Sequence, residues 1–171
     1  DVGVAVVESL RRVTNPGDGV IITPPVYFPF FDLVRETGAT VVEVPLSGSL
    51  DEGWSLDLEG IEAAFKAGAR AFLLCNPHNP VGLAHSAEDL RAVADLAAQY
   101  DATVVSDEIH GPLTYADATF TPFLSVSDAA RKVGICVTAA SKAANLAGLK
   151  CAIMVTAGGP NQVIVGSMPL S

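Results

Sequence analysis

The sequence predicts an α/β fold, a mostly parallel sheet flanked by helices on both faces, and three observations lead there. Apolar runs of strand length recur along the chain, each nearly continuous rather than alternating, as strands covered on both faces require. Stretches of helical period separate several of them, the alternation expected of a layered α/β domain. Clusters of Pro, Gly, Asn and Ser fall at the joints, where such a fold needs turns.

The chain opens with a helical stripe in which Val2, Val6, Leu10 and Val13 share one side. After the turn Asn15-Pro16-Gly17-Asp18-Gly19 comes a strand over residues 20–23, then a helix over 28–37 and a strand over 40–44. Ser47-Gly48-Ser49 reads as a turn, and residues 58–67 carry another helical stripe. A strand over 71–75 runs into Asn76-Pro77-His78-Asn79-Pro80. Residues 87–99 form the clearest helix: Leu90, Val93, Ala94 and Ala97 point inward, and Ser86 stands three residues before Asp89, close to a capping box. Strands over 103–106, 134–138 and 151–155 complete the set, without internal repeat.

At 171 residues the chain is close to one domain of roughly 150 residues and long enough to bury a core. A net charge of −9 argues against nucleic acid or a basic membrane-binding surface, and points to small molecules or protein as partners. Charged residues make up 17%, below the roughly 25% usual for a soluble domain, so part of the surface is expected to be covered by neighbours. The uncharged stretch 151–171 is interrupted by Gly158-Gly159-Pro160 and is not expected to span a membrane. Opening at Asp1 without a targeting segment, the sequence reads as an internal piece of a longer one. Cys75, Cys136 and Cys151 each lie in an aliphatic run with no metal-type spacing, and are expected to be buried thiols in a reducing cytoplasm.

In open α/β sheets ligands collect beyond the carboxyl ends of the strands. Three such ends carry chemistry. Two Asn-Pro pairs follow the run 71–75, Asp107-Glu108-Ile109-His110 follows 103–106, and Ala139-Ala140-Ser141-Lys142 follows 134–138. A lysine ending an apolar run is expected to lose solvation, the environment required by amines that form Schiff bases. Each signal alone has a plain structural reading as a turn, a helix cap or a snorkelling side chain. Asn79, Asp107 and Lys142 lie after three successive strands, so one ligand can meet all three.

These residues carry a resemblance. Pro25-Val26-Tyr27, Asn76 to Gly82, Ser106 to His110, and Ser141-Lys142 followed by Leu146-Ala147-Gly148-Leu149 resemble, in order, the fold-type I enzymes that use pyridoxal 5′-phosphate (PLP). Among these the chain is most similar to the aminotransferase-like cystathionine β-lyases of the MalY/PatB type. The resemblance covers nearly the whole chain and implies that residues 1–171 are the PLP-binding large domain, truncated at both ends.

Carried over by position, Lys142 holds PLP as a Schiff base and moves the substrate Cα proton. Asp107 pairs with the pyridinium nitrogen, Asn79 donates to the ring O3 oxygen, and Tyr27 stacks on the ring. His110 replaces a tyrosine common in the aminotransferase branch and is expected near the cofactor, while His78 and His85 are expected to be loop residues. Ser141, Lys150 and the amides at Val2-Gly3 are left to hold the phosphate, because Ala139 and Lys150 depart from the usual hydroxyl and arginine there. The implied activity is a carbon–sulfur β-lyase acting on cystathionine or a related cysteine thioether. Alternatives are a class I/II aminotransferase and, from a different class, a non-catalytic effector-binding domain. A homodimer with active sites at the interface is also implied.

Overall fold

The computed structural model describes residues 1–158. The chain order is α1 (Val2–Val13), β1 (Gly19–Ile22), α2 (Pro29–Glu36), β2 (Thr40–Glu43), β3 (Ser47–Ser49), β4 (Gly53–Ser55), α3 (Leu58–Lys66), β5 (Ala69–Cys75), α4 (Ala87–Gln99), β6 (Thr103–Asp107), α5 (Asp128–Val133), β7 (Gly134–Thr138) and β8 (Ile153–Val155). The main sheet has the order β2-β1-β5-β6-β7-β8. Its first five strands run parallel, and β8 is antiparallel to β7.

Alternation along β5 shows how both faces are filled. Ala71, Leu73 and Cys75 join Val6 and Leu10 of α1 and Phe30 and Val34 of α2 in one core. Phe72 and Leu74 join Ile61 and Phe65 of α3, Leu90 and Val93 of α4, and Ala130 of α5 in the other. Side chains of period two on the strands thus meet stripes of period 3.6 on the helices. Local chemistry starts the helices as expected: Ser86 accepts from the Asp89 N–H at 3.0 Å and its hydroxyl donates to the Asp89 carboxylate at 2.8 Å.

The structure corrects several expectations. Strands β2 and β8 are not covered on both faces, because they are the two edges of the sheet; Ile153 and Val155 are exposed. Ser47-Gly48-Ser49 is a strand of the β3–β4 hairpin rather than a turn. Gly48 has φ +100°, and an added Cβ would run into the Gly53 carbonyl, so close pairing of the hairpin requires glycine here. Cys75 and Cys136 are buried, but Cys151 is exposed beside the edge strand. Helix α5 is not among the elements the sequence pattern predicts, although Ser127 caps it by accepting from the Ala130 N–H at 3.0 Å. No helix among the described residues is long and apolar enough to cross a membrane. Residues 159–171 of the uncharged stretch lie outside the described residues.

Candidate active site

The parallel strands β5, β6 and β7 end side by side, with Cys75 opposite Asp107 and Asp107 opposite Val137 in register. Their following loops, the loop after β1 and the start of α1 enclose a cavity of about 360 Å³. Val2, Gly3, Tyr27, Asn79, Asp107, His110, Ser141, Lys142 and Lys150 all line it. Residues from opposite ends of the sequence therefore share one space because the sheet order places their strands together.

Asp107 is the last residue of β6 and is 7% exposed. Its Oδ1 accepts from the Ile109 N–H at 3.1 Å, the one hydrogen bond to this carboxylate among the described residues. Burial is the main cause that raises its pKa from 3.8 to about 6; the Ile109 amide opposes the shift and the charge of Glu108 adds to it. A buried acid that lines a cavity, with no cation paired to it among the described residues, is poised for a cationic partner.

Asn79 follows Cys75 by four residues, and its N–H donates to the Cys75 Sγ at 3.3 Å. The thiol itself is pushed up to about 12, first by burial, and so serves as an anchor for the loop rather than as a nucleophile. Tyr27 is 44% exposed and meets Phe30 edge to face at 5.9 Å. Leu33 and Pro29, which carry no motif, and Ile109 and Ala147, which lie inside two of the motifs, provide the apolar wall; alternation beyond β6 is the signal that aims Ile109 at it.

Lys142 departs from expectation. It is exposed, because β7 ends at Thr138 and residues 140–145 form successive turns closed by Ala144 N–H to Ala140 O at 2.9 Å and Leu146 N–H to Ser141 O at 3.1 Å. The loss of solvation anticipated for it is not present. Its charge reaches His110, whose pKa is lowered mainly by burial and secondly by Lys142. A neutral imidazole therefore lies near the primary amine on one wall.

At the start of α1, Asp1 accepts from the Val4 N–H at 3.3 Å, and the Lys150 Nζ lies 3.9 Å from the other Asp1 oxygen. This end of the cavity already accommodates an anion between a helix N-terminus and an ammonium group.

Glu108 points away from the cavity. Its Oε1 accepts from the Phe123 N–H at 2.7 Å, the Ser106 hydroxyl at 3.1 Å and the Cys136 thiol at 3.4 Å. It ties the segment before α5 to the sheet. Glu108→Ala is expected to cost about 3 kcal/mol, since the Phe123 amide and the Ser106 hydroxyl lose their acceptor in the interior. Glu108→Gln retains an acceptor and should cost about 1 kcal/mol. Equal losses for the two variants in chemical denaturation would remove this account.

The family model described as aminotransferase class I and II matches residues 3–159. The chain belongs to that family. Within it, the chain is 42% identical over 144 residues to cystathionine β-lyase of Corynebacterium glutamicum, covering 84% of this chain and 37% of that protein. It is 37% identical over 148 residues to cystathionine β-lyase PatB of Bacillus subtilis, covering 86% and 38%. Cystalysin from Treponema denticola, whose structure contains pyridoxal 5′-phosphate, superposes with a TM-score of 0.89 at 32% identity, over 98% of this chain and 43% of that one. The chain thus spans about two fifths of the length of these relatives.

Proposed function

We propose that the chain is the PLP-binding large domain of a carbon–sulfur β-lyase that converts cystathionine or a related cysteine thioether, with water, to a thiol, pyruvate and ammonia. One observation carries the reading: a single cavity gathers a primary amine, a buried acid, an amide, an aromatic ring and an anion-holding helix end.

The residues present fit PLP at both of its charged ends. The Asp107 carboxylate, buried and with one oxygen unpartnered, suits a protonated ring nitrogen. The start of α1 with Lys150, which here accommodates the Asp1 carboxylate, suits a phosphate, with the Ser141 hydroxyl as a further donor. Asn79 and His110 would hold the ring oxygen, Tyr27 would cover the ring face, and Lys142 would bind the cofactor covalently. When bound, PLP supplies an electron sink for charge developing at the substrate Cα. Once the substrate amine has displaced it, the Lys142 Nζ would take the Cα proton and pass it to the departing thiolate sulfur, with His110 kept neutral beside it by burial. Asp107 keeps a compensating negative charge out of reach of water, where it acts most strongly.

Two further parts of the proposal concern the surroundings. Phe28, next to Tyr27, and Leu146 and Leu149, flanking Ala147, are exposed apolar side chains, which supports a homodimer that covers them. Free buried thiols at Cys75 and Cys136 support a cytoplasmic location; an amino-acid substrate, and neither nucleic acid nor membrane, is the partner proposed.

The family match favours aminotransferase activity as the second reading, since both reactions begin with removal of the same proton. The test uses the complete polypeptide that contains this chain. Incubation with cystathionine and PLP should release pyruvate and free thiol in equal amounts without an added keto acid. Amino transfer that requires a keto acid, with no pyruvate from cystathionine, would replace the lyase with an aminotransferase. PLP uptake with neither reaction would point to an effector-binding domain.

A further inference from the structure

We propose that His78 is a positioning residue that fixes the Tyr27 and Asn79 walls of the cavity relative to each other, an inference that rests on the cofactor reading above. The need for such a bridge follows from strand lengths. Pairing of β1 with β5 ends at Ile21 opposite Phe72, whereas β5 continues along β6 as far as Cys75 opposite Asp107. Beyond that point one segment leads to Tyr27 and the other to Asn79, and among the described residues no backbone ladder joins them.

The His78 side chain crosses this gap. Its Nε2 lies 3.1 Å from the Pro25 carbonyl, and the Thr23 backbone also faces the ring. A carbonyl only accepts, so Nε2 carries the proton and donates it. The ring is 1% exposed, and burial lowers its pKa to about 4, which keeps it neutral and in one tautomer. Its own loop is closed by His78 N–H to Leu83 O at 2.7 Å. His85 packs edge to face on it at 5.5 Å and, through Nε2, donates to the Cys75 carbonyl at 3.0 Å. One imidazole thus ties the loop to its own strand, and the other ties that loop to its neighbour.

The test compares His78→Gln, which keeps an N–H at nearly the reach of Nε2, with His78→Asn, which is equally polar but one bond shorter. Hydrogen exchange is followed over residues 24–31 in the protein without cofactor, and PLP affinity is measured by titration. The Asn variant should raise exchange in that segment about tenfold and weaken PLP binding about tenfold, while Gln stays near wild type. Unchanged exchange over 24–31 in the Asn variant, or equal damage from Asn and Gln, overturns the proposal. An Asn variant that loses its fold altogether overturns it too, in favour of a purely structural role. Wild-type protein that takes up no PLP overturns the cofactor reading alone, and the exchange comparison then still supports or overturns the bridge.

Discussion

In Lys142→Ala the cavity is expected to keep its shape and to lose the covalent hold on PLP proposed for this residue. Wild-type protein incubated with PLP and reduced with borohydride should yield a single modified peptide, carrying the cofactor mass on Lys142; the variant should yield none. The change is not expected to disturb folding, because Lys142 is exposed and lies in a turn held by backbone bonds, a setting where substitutions stay within about 0.5 kcal/mol. Loss of the adduct therefore reports chemistry rather than collapse. In the complete polypeptide, removal of the amine proposed to move the proton should cost at least about 10²–10⁴-fold in turnover. Lys150 is the internal control, since it lines the same cavity. The two lysines face different neighbours: Lys150 faces the Asp1 carboxylate, whereas the charge of Lys142 bears on the His110 imidazole. Lys150→Ala should weaken PLP binding several-fold and leave the adduct at residue 142. An adduct found on Lys150, or one that survives in Lys142→Ala, would reassign the roles of the two amines.

What could be read from the sequence follows the physics of each feature. The continuous apolar runs and the stripe in 87–99 reflect burial on opposite faces of one sheet, which periodicity reports directly. The meeting of Asp107 and Asn79 at one cavity is legible because strand ends in a parallel sheet are where loops converge. The short helix α5 and the β3–β4 hairpin were not seen, because six-residue and three-residue elements leave too little pattern to separate from turns. Exposure of Lys142 was missed for a different reason: the apolar run before it ends at Thr138, and residue type alone does not show where a strand gives way to turns. The role of Glu108 was hidden by its position beside Asp107. Successive residues at a strand end point to opposite sides, so one acid of the pair faces the cavity while the other clamps Phe123. The part played by His78 depends on a partner 53 residues away and has no local signature.

Asp107→Asn should make the protein without cofactor more stable at neutral pH while impairing everything that depends on the cofactor. The folded-state pKa is raised from 3.8 to about 6, so the unfolded chain ionises more readily and the charge opposes folding. That opposition is on the order of 3 kcal/mol above about pH 6, shrinks as pH falls from 6 towards 4, and is absent below the unfolded value. Asparagine has the same shape and can still accept from the Ile109 N–H, yet brings no charge. Denaturant midpoints should accordingly favour the variant at neutral pH and converge with wild type near pH 4. PLP binding should behave in the opposite way. Wild-type affinity should fall as pH drops through about 6, because the carboxylate must be ionised to face a ring cation; the variant should bind weakly and lose that dependence. Turnover of the complete polypeptide should drop by about 10²–10³, the scale for removing one preorganised electrostatic group. A variant that is less stable at neutral pH and binds PLP as well as wild type would reduce Asp107 to an acceptor for the Ile109 amide. The opposed signs are what would distinguish a site from a framework: a buried acid that weakens the empty fold and strengthens PLP binding acts through the cation it meets.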